Sequence, residues 1–488
     1  MNGKILTSLL ALLSLGTVQA QNASAVPRLV VGLTIDRLRT DYIEAFSELY
    51  GDKGFRRLQR EGRLYKQMNF SFAAPDRASG IASIYTGAAP AMNGIVAQQW
   101  LDIHTLRPTD CTEDADYIGY YTNENASAKK LLTSTVADEL KIATEGKALV
   151  YAVSPFRDAA IFAAGHLADG AFWLNDITGK WCGTSYYTEF PDWLSRYNDT
   201  QGIDSRIRDY KLEGERRNQY KRLTVSPYIN DEINTVVEQM LQHTALGIDQ
   251  TPDFLSITYH AGQADSYGRL DQSLGALLDL LDRKLGLHNV LLFVTATGGS
   301  DADDQKQPDY KLPGGDFYIN RCAALLNMFL IATYGDGQYI EAFHDRQIYL
   351  NHKLIEQKQL DLSEVQNKCA DFLIQFAGVR EAYSAHRLKF GTWSPEIQEL
   401  RSSYHRGRSG DLYLEIMPGW SLINETTGAY KVVRYGHIPM PVIFAGFDIR
   451  PETVYLPLET ARIAPTVAYY LRIRAPNAAQ AEPLTDLK

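Results

Sequence analysis

Asp36 closes an unbroken apolar run, Leu29-Val30-Val31-Gly32-Leu33-Thr34-Ile35, and so stands where a strand buried on both faces would end. A carboxylate there can ligate a metal, but one carboxylate does not make a zinc site, and an ion pair with Arg37, Arg39 or Arg77 is the stronger reading. His260, after the run Phe254–Tyr259, and His437 are further candidate ligands. Lone histidines beside strands more often serve as hydrogen-bonded structural groups. Asp301, Asp303 and Asp304 suggest calcium, yet Ser300-Asp301-Ala302-Asp303-Asp304 lacks the glycine and terminal glutamate of a calcium loop, which leaves a solvated turn. Arg77 and Arg157 are candidate anion-binding groups, since a guanidinium offers paired donors to an oxyanion.

The elements that would position these groups alternate. Apolar runs recur at 148–153, 254–259, 290–295 and 442–445, and between them Leu274, Leu277, Leu278, Leu281 and Leu285 repeat at helical spacing. Buried strands alternating with amphipathic helices give an α/β fold, a mostly parallel central sheet flanked by helices, with ligands bound beyond the carboxyl ends of the strands. Residues 301–403 open on Lys311-Leu312-Pro313-Gly314-Gly315 and mix short strands with helices, a smaller inserted α+β lobe. The α/β core then spans 21–300 and 404–476, and 477–488 form a loosely held tail.

At 488 residues, 45% hydrophobic and 22% charged, the chain has the composition of an ordinary folded protein. Its net charge of −9 and lack of a basic run disfavour nucleic acid as a partner. Lys4, the apolar stretch Ile5–Val18 and Val18-Gln19-Ala20 read as a signal peptide cleaved after Ala20, and no later run is long enough to span a membrane. The protein is expected in the periplasm or outside the cell. In that oxidising space the four cysteines suggest two disulfides, with Cys111–Cys182 and Cys322–Cys369 closing the shortest loops.

The segments Thr34-Ile35-Asp36-Arg37-Leu38-Arg39-Thr40-Asp41-Tyr42, Ile84-Tyr85-Thr86-Gly87, Asn93-Gly94-Ile95 with Trp100, Ala164-Gly165-His166, Arg408-Ser409-Gly410-Asp411 and Pro441–Gly446 occur in an order that resembles the alkaline phosphatase superfamily. The likeness is greatest to its single-subunit periplasmic phosphate-monoesterases, related to the nucleotide pyrophosphatase/phosphodiesterase branch. It implies an alkaline-phosphatase-like fold and a site of two zinc ions with a threonine or serine nucleophile. Carried over position by position, the resemblance puts Arg77 at the nucleophile and Gln98 at the asparagine that holds a phosphoryl oxygen. The zinc-ligand positions fall on Asp36, Gln263, Tyr267, Thr297, Gly298 and Pro439, and the phosphate-gripping Lys and Arg on Phe156 and Asp158.

With Asp36 alone retained, the expectation is an exported pseudoenzyme without catalytic residues, bound metal or cofactor. It would act as a binding or structural component of the cell envelope, with an envelope protein, a glycan or an anionic ligand as candidate partner. The alternative is an active phosphate- or sulfate-ester hydrolase with a rebuilt site, using Ser79 or Thr86 and a metal bound by Asp36, Asp265 and His437. Arg77 is expected to offer two parallel hydrogen bonds to Asp36, each leaving the other's charge compensated.

Overall fold

The computed structural model describes residues 26–210, 212, 218–298, 314–392, 394–433 and 439–487. The signal-peptide segment, Asp301, Asp303, Asp304 and His437 lie outside the described residues.

Eleven strands make the central sheet. In chain order they are β1 (Leu29–Asp36), β2 (Arg63–Asn69), β3 (Gly119–Tyr120), β4 (Val150–Ser154), β5 (Gly170–Leu174) and β6 (Trp181–Thr184). The remaining five are β7 (Asp253–His260), β8 (Val290–Ala296), β9 (Met440–Gly446), β10 (Glu452–Val454) and β11 (Leu458–Glu459). They lie in the order β10-β2-β9-β8-β1-β7-β4-β5-β6-β3, with β11 beside β2. β1, β7 and β8 are buried along their whole length, as continuous apolar runs require. Helices cover the faces: α1 (Arg77–Thr86), α2 (Arg157–Ala164), α3 (Ile229–His243) and α4 (Tyr267–Leu285). The leucine stripe of α4 is buried at Leu270, Leu274, Leu277, Leu278 and Leu281, while Leu285 at its end is only partly covered.

The centre β8-β1-β7-β4-β5 is parallel. The flanks are not: β9 runs antiparallel to both β8 and β2, and β6 antiparallel to β5. The sheet is therefore mixed, and the position of the lobe explains the reversal of β9. The chain leaves the sheet at the carboxyl end of β8 and returns there, so Val442 pairs with Thr295 and β9 must run back along β8.

The lobe has its own core of buried residues between Phe317 and Val433. Its sheets pair Leu412–Ile416 with Val379–Ser384 and Ser421–Asn424 with Asp316–Tyr318 and Ala429–Val432, so it continues past residue 403. The tail is tied down rather than loose. Leu484 and Leu487 are buried, Arg450 N–H donates to the Leu487 carbonyl, and Arg63 pairs with Asp486 at 2.6 Å.

Neither expected disulfide forms. Cys111, Cys182, Cys322 and Cys369 are all buried free thiols, and burial pushes the last three up to about 12, so they stay protonated and unreactive. The large cores of both parts supply the stability that small secreted domains take from cross-links. Among the described residues no helix is long and apolar enough to cross a membrane.

Asp253 opens β7 at the end of the sheet opposite Asp36, accepting from Leu149 N–H (2.6 Å) and Gly247 N–H (2.7 Å). Burial raises its pKa from 3.8 to about 6, so between these values the folded chain holds a proton that the unfolded chain has lost. This contribution therefore falls as pH rises from 4 to 6, by on the order of 1 kcal/mol after solvent screening. Denaturant titrations of Asp253→Asn across that range are expected to lose this part of the slope; an unchanged slope would refute the assignment.

Candidate active site

The site begins with the geometry of a parallel sheet. β1 and β7 run side by side with Asp36 opposite His260, so a carboxylate and an imidazole emerge together at the carboxyl end. Just past β8, Thr297 Oγ1 donates to Asp36 Oδ1 at 2.6 Å. Asp36 Oδ2 faces Arg77 Nη1 at 3.8 Å and His260 Nε2 at 4.0 Å. Those separations are too long for direct hydrogen bonds and leave room for one bridging oxygen.

His260 is 3% exposed, with its Nδ1 accepting from Gly262 N–H at 2.9 Å. Burial pulls its pKa down to about 4, against the opposing pull of Asp36. The ring is therefore neutral in ordinary buffers, and with Nδ1 accepting it carries its proton on Nε2, toward Asp36.

Arg77 is the first residue of α1, where a cation opposes the helix dipole. Three carboxylates offset it. Asp76 caps the helix, accepting from Ser79 N–H at 2.9 Å, and its other oxygen takes Gln98 N–H at 2.6 Å. Asp158, in the first turn of α2, accepts from Arg77 Nε at 3.0 and 3.2 Å and from Gln98 Nε2 at 2.9 Å. The guanidinium lies 3.7 Å above the Phe156 ring. Arg77 thus faces Asp36, as expected, but its hydrogen bonds go to Asp158. The Arg77 charge and these bonds hold the Asp158 pKa below the usual carboxylate value despite full burial. Neither Nη group of Arg77 makes a hydrogen bond among the described residues, and Arg77 lines a cavity of about 910 Å³. Arg157 lines the same cavity but is neutralised by Asp110 and Glu124, each at 2.9 Å.

The other sequence candidates are placed elsewhere. Gln263 is exposed; Tyr267 is buried, its hydroxyl accepting from Arg39 N–H; and the Pro439 carbonyl accepts from Thr40 Oγ1. Gly298 has φ +82°, and a Cβ there would sit 2.6 Å from Phe70, so this backbone leaves no room for an imidazole. Ser79 and Thr86 are fully buried, bonded to Asp76 and to the Ala82 carbonyl, and neither hydroxyl opens to the cavity as a nucleophile. Asp265 is exposed, accepting from Ser266 Oγ.

Among the described residues no three His, Cys, Asp or Glu side chains gather as a metal site. Asp36 and His260 with a threonine hydroxyl do not match the donor set of two zinc ions, which asks for several carboxylates and imidazoles. Sequence reasoning missed the Asp36–Thr297 bond and the role of Asp158 as partner of Arg77. Asp158 stands in the first turn of α2, and its partner is 81 residues away, which no local signal in the sequence reveals.

Removing Arg77 leaves two buried carboxylates facing each other across the gap. Arg77→Ala is expected to cost about 3 kcal/mol, and Arg77→Ala with Asp158→Asn distinctly less, because breaking a buried pair strands its partner's charge. Equal losses in the two variants, measured by denaturant unfolding, would contradict this ion-pair account.

The chain matches the type I phosphodiesterase / nucleotide pyrophosphatase family over residues 30–437. It is similar to the alkaline phosphatase PafA of Elizabethkingia meningoseptica, 27% identical with 97% of each chain covered. It is also similar to the alkaline phosphatase PhoV of Synechococcus elongatus, 28% identical with 95% of this chain and 93% of the relative covered. Crystal structures of PafA superpose with TM-scores of 0.84 for the wild type and 0.83 for a quadruple variant, each 26% identical and covering 96% of this chain and all of the other. These findings overturn the expectation of a non-enzymatic envelope component, since relatives matched over nearly the whole length are named as phosphatases. The match spans most of the sequence, and the chain belongs to the type I phosphodiesterase / nucleotide pyrophosphatase family.

Proposed function

We propose that the protein is an exported hydrolase of phosphate esters whose site is rebuilt around Arg77 and Asp36. Export is supported by the basic, apolar and small-residue pattern of residues 1–20. Of the candidate partners, an anionic ligand is the one the geometry favours.

The observation that carries the reading is the guanidinium of Arg77, which lines the cavity, is anchored through Nε to Asp158 and has Nη1 facing the Asp36 carboxylate, with no hydrogen bond from either Nη group among the described residues. Arg77 and Gln98 stand 21 residues apart and Phe156 and Asp158 two apart. These are the spacings of the threonine and asparagine, and of the lysine and arginine, substituted in the PafA variant. Arg77 and Gln98 thus stand at the first spacing, and Phe156 and Asp158, which hold the Arg77 guanidinium, at the second.

In this reading the Arg77 Nη groups take two phosphoryl oxygens, and the gap between Asp36 Oδ2, Arg77 and His260 receives the attacking water. The water oxygen bonds to phosphorus as its proton passes to Asp36. The ester P–O bond breaks with its electron pair on the leaving oxygen, which takes a proton from solvent. Thr297 holds Asp36 in orientation by occupying its other oxygen.

The test is turnover of p-nitrophenyl phosphate, bis(p-nitrophenyl) phosphate and p-nitrophenyl sulfate by the full chain. Hydrolysis of at least one phosphate substrate is expected, reduced about 10²-fold or more in Asp36→Asn and with raised KM in Arg77→Ala. Turnover of the sulfate ester alone, or phosphate turnover indifferent to both substitutions, would overturn the assignment.

A further inference from the structure

The lobe helix α5 (Ile319–Tyr334) is apolar on two opposite sides. Ile319, Cys322, Ala323, Leu326 and Leu330 are buried in the lobe core. On the other side Ala324, Leu325, Met328 and Ala332 are exposed among the described residues, Leu325 by 48% and Met328 by 64%. No charged residue stands between Arg321 and Asp336. A helix on the surface of a domain ordinarily turns charge toward water, so an outer face without any marks a contact surface. The apolar surface continues onto α6 (Leu362–Leu373). Phe329 stacks on Phe372 at 4.3 Å, Phe372 meets Phe376 edge-on at 5.3 Å, and Ile374, which caps α6, is exposed. None of these residues lines the cavity at Arg77.

The pattern of this face fits an inverted copy of itself. Arg321, Leu325, Met328 and Ala332 follow one another at four, three and four residues, which places them on one stripe of the helix. The stripe is bulky in its first half and small in its second. A two-fold axis beside Met328 sets two such helices antiparallel, with the two Met328 side chains at the centre and Leu325 against the partner's Ala332. The same axis brings Arg321 to the end of the partner helix, where the negative pole lies and the partner's Asp336 follows. The charges are placed for it. Arg321 lies over Tyr318 and holds Glu425 through Nε and Nη2, at 3.3 and 2.6 Å, while its Nη1 makes no hydrogen bond among the described residues. Asp336 is exposed and has no ion pair among them. Two identical ion pairs therefore bracket an apolar seam.

We propose that this face joins two copies of the chain through α5 in antiparallel register. The helix has 16 residues and is about 24 Å long, with a face about 10 Å wide. A face of that size lies at the small end of specific interfaces, so the dimer dissociates on dilution.

Sedimentation velocity of the full chain over about 1–100 μM tests this. A monomer–dimer equilibrium is expected, weakened about tenfold or more by Met328→Glu, whose circular dichroism should match the parent because Met328 faces water in the single chain. Asp336→Lys should weaken the dimer severalfold, and adding Arg321→Glu should recover part of the loss, which a merely apolar contact would not do. Register is read by cross-linking. With oxidised glutathione, Met328→Cys should form a disulfide-linked dimer and Leu456→Cys, on the core, should not; the four native cysteines are buried and do not compete. A monomer at every concentration, a dimer that Met328→Glu leaves intact, or equal cross-linking at both positions would overturn the proposal. A monomer that co-sediments with phosphatidylcholine/phosphatidylglycerol vesicles, and is released by Met328→Glu, would also overturn it and give the face to lipid.

Discussion

The negative charge of Asp36, buried at the end of the central strand, is the constraint around which the site is built. A carboxylate that is 5% exposed cannot stand without compensation, and three elements supply it. The turn after β8 delivers the Thr297 hydroxyl as a direct donor, α1 the Arg77 cation at 3.8 Å, and β7 the His260 ring at 4.0 Å. The fit is tight on the helix side, where a Cβ at Gly80 would collide with the Thr297 carbonyl. That close approach puts the first turn of α1 against the strand ends.

Compensation then spreads outward. Arg77 at a helix N-terminus needs its own carboxylates, and Asp76 and Asp158 provide them from two different helix starts. Gln98 ties both acids together, through its backbone to Asp76 and its side chain to Asp158. The result is a guanidinium anchored through Nε, on a residue that lines the cavity. Arg157, one residue from Asp158, has the same chemistry but spends its charge on Asp110 and Glu124. Sequence proximity made the two arginines equal candidates, and only their partners separate them.

The lobe shapes the central sheet. Its insertion between β8 and β9 forces the reversed strand, and Arg408 joins it to the core by donating to the Lys130 carbonyl at 2.7 Å while lying over Trp100. Burial without a carboxylate nearby drives the pKa of Arg408 down to about 10, so this joint keeps a desolvated cation satisfied by carbonyls.

The residue pattern alone determined the α/β class, the ends of the central strands, the burial of the α4 stripe and the position of Asp36, because these follow from local periodicity that each segment carries in itself. It also singled out Arg77, Thr297 and Gly298 as candidate site positions. The tertiary structure decided what surrounds them. Thr297 becomes the hydrogen-bond donor to Asp36, Arg77 turns to Asp158 as well as toward Asp36, and Gly298 is held to glycine by Phe70. The four cysteines, which by count and compartment suggested cross-links, stay apart as buried thiols. The tail, Ala/Pro-rich and so expected to be loose, is fixed by two leucines. In each case the deciding partner lies on a different element, often more than eighty residues away, and the choice among partners depends on distance and direction, which spacing along the chain does not encode.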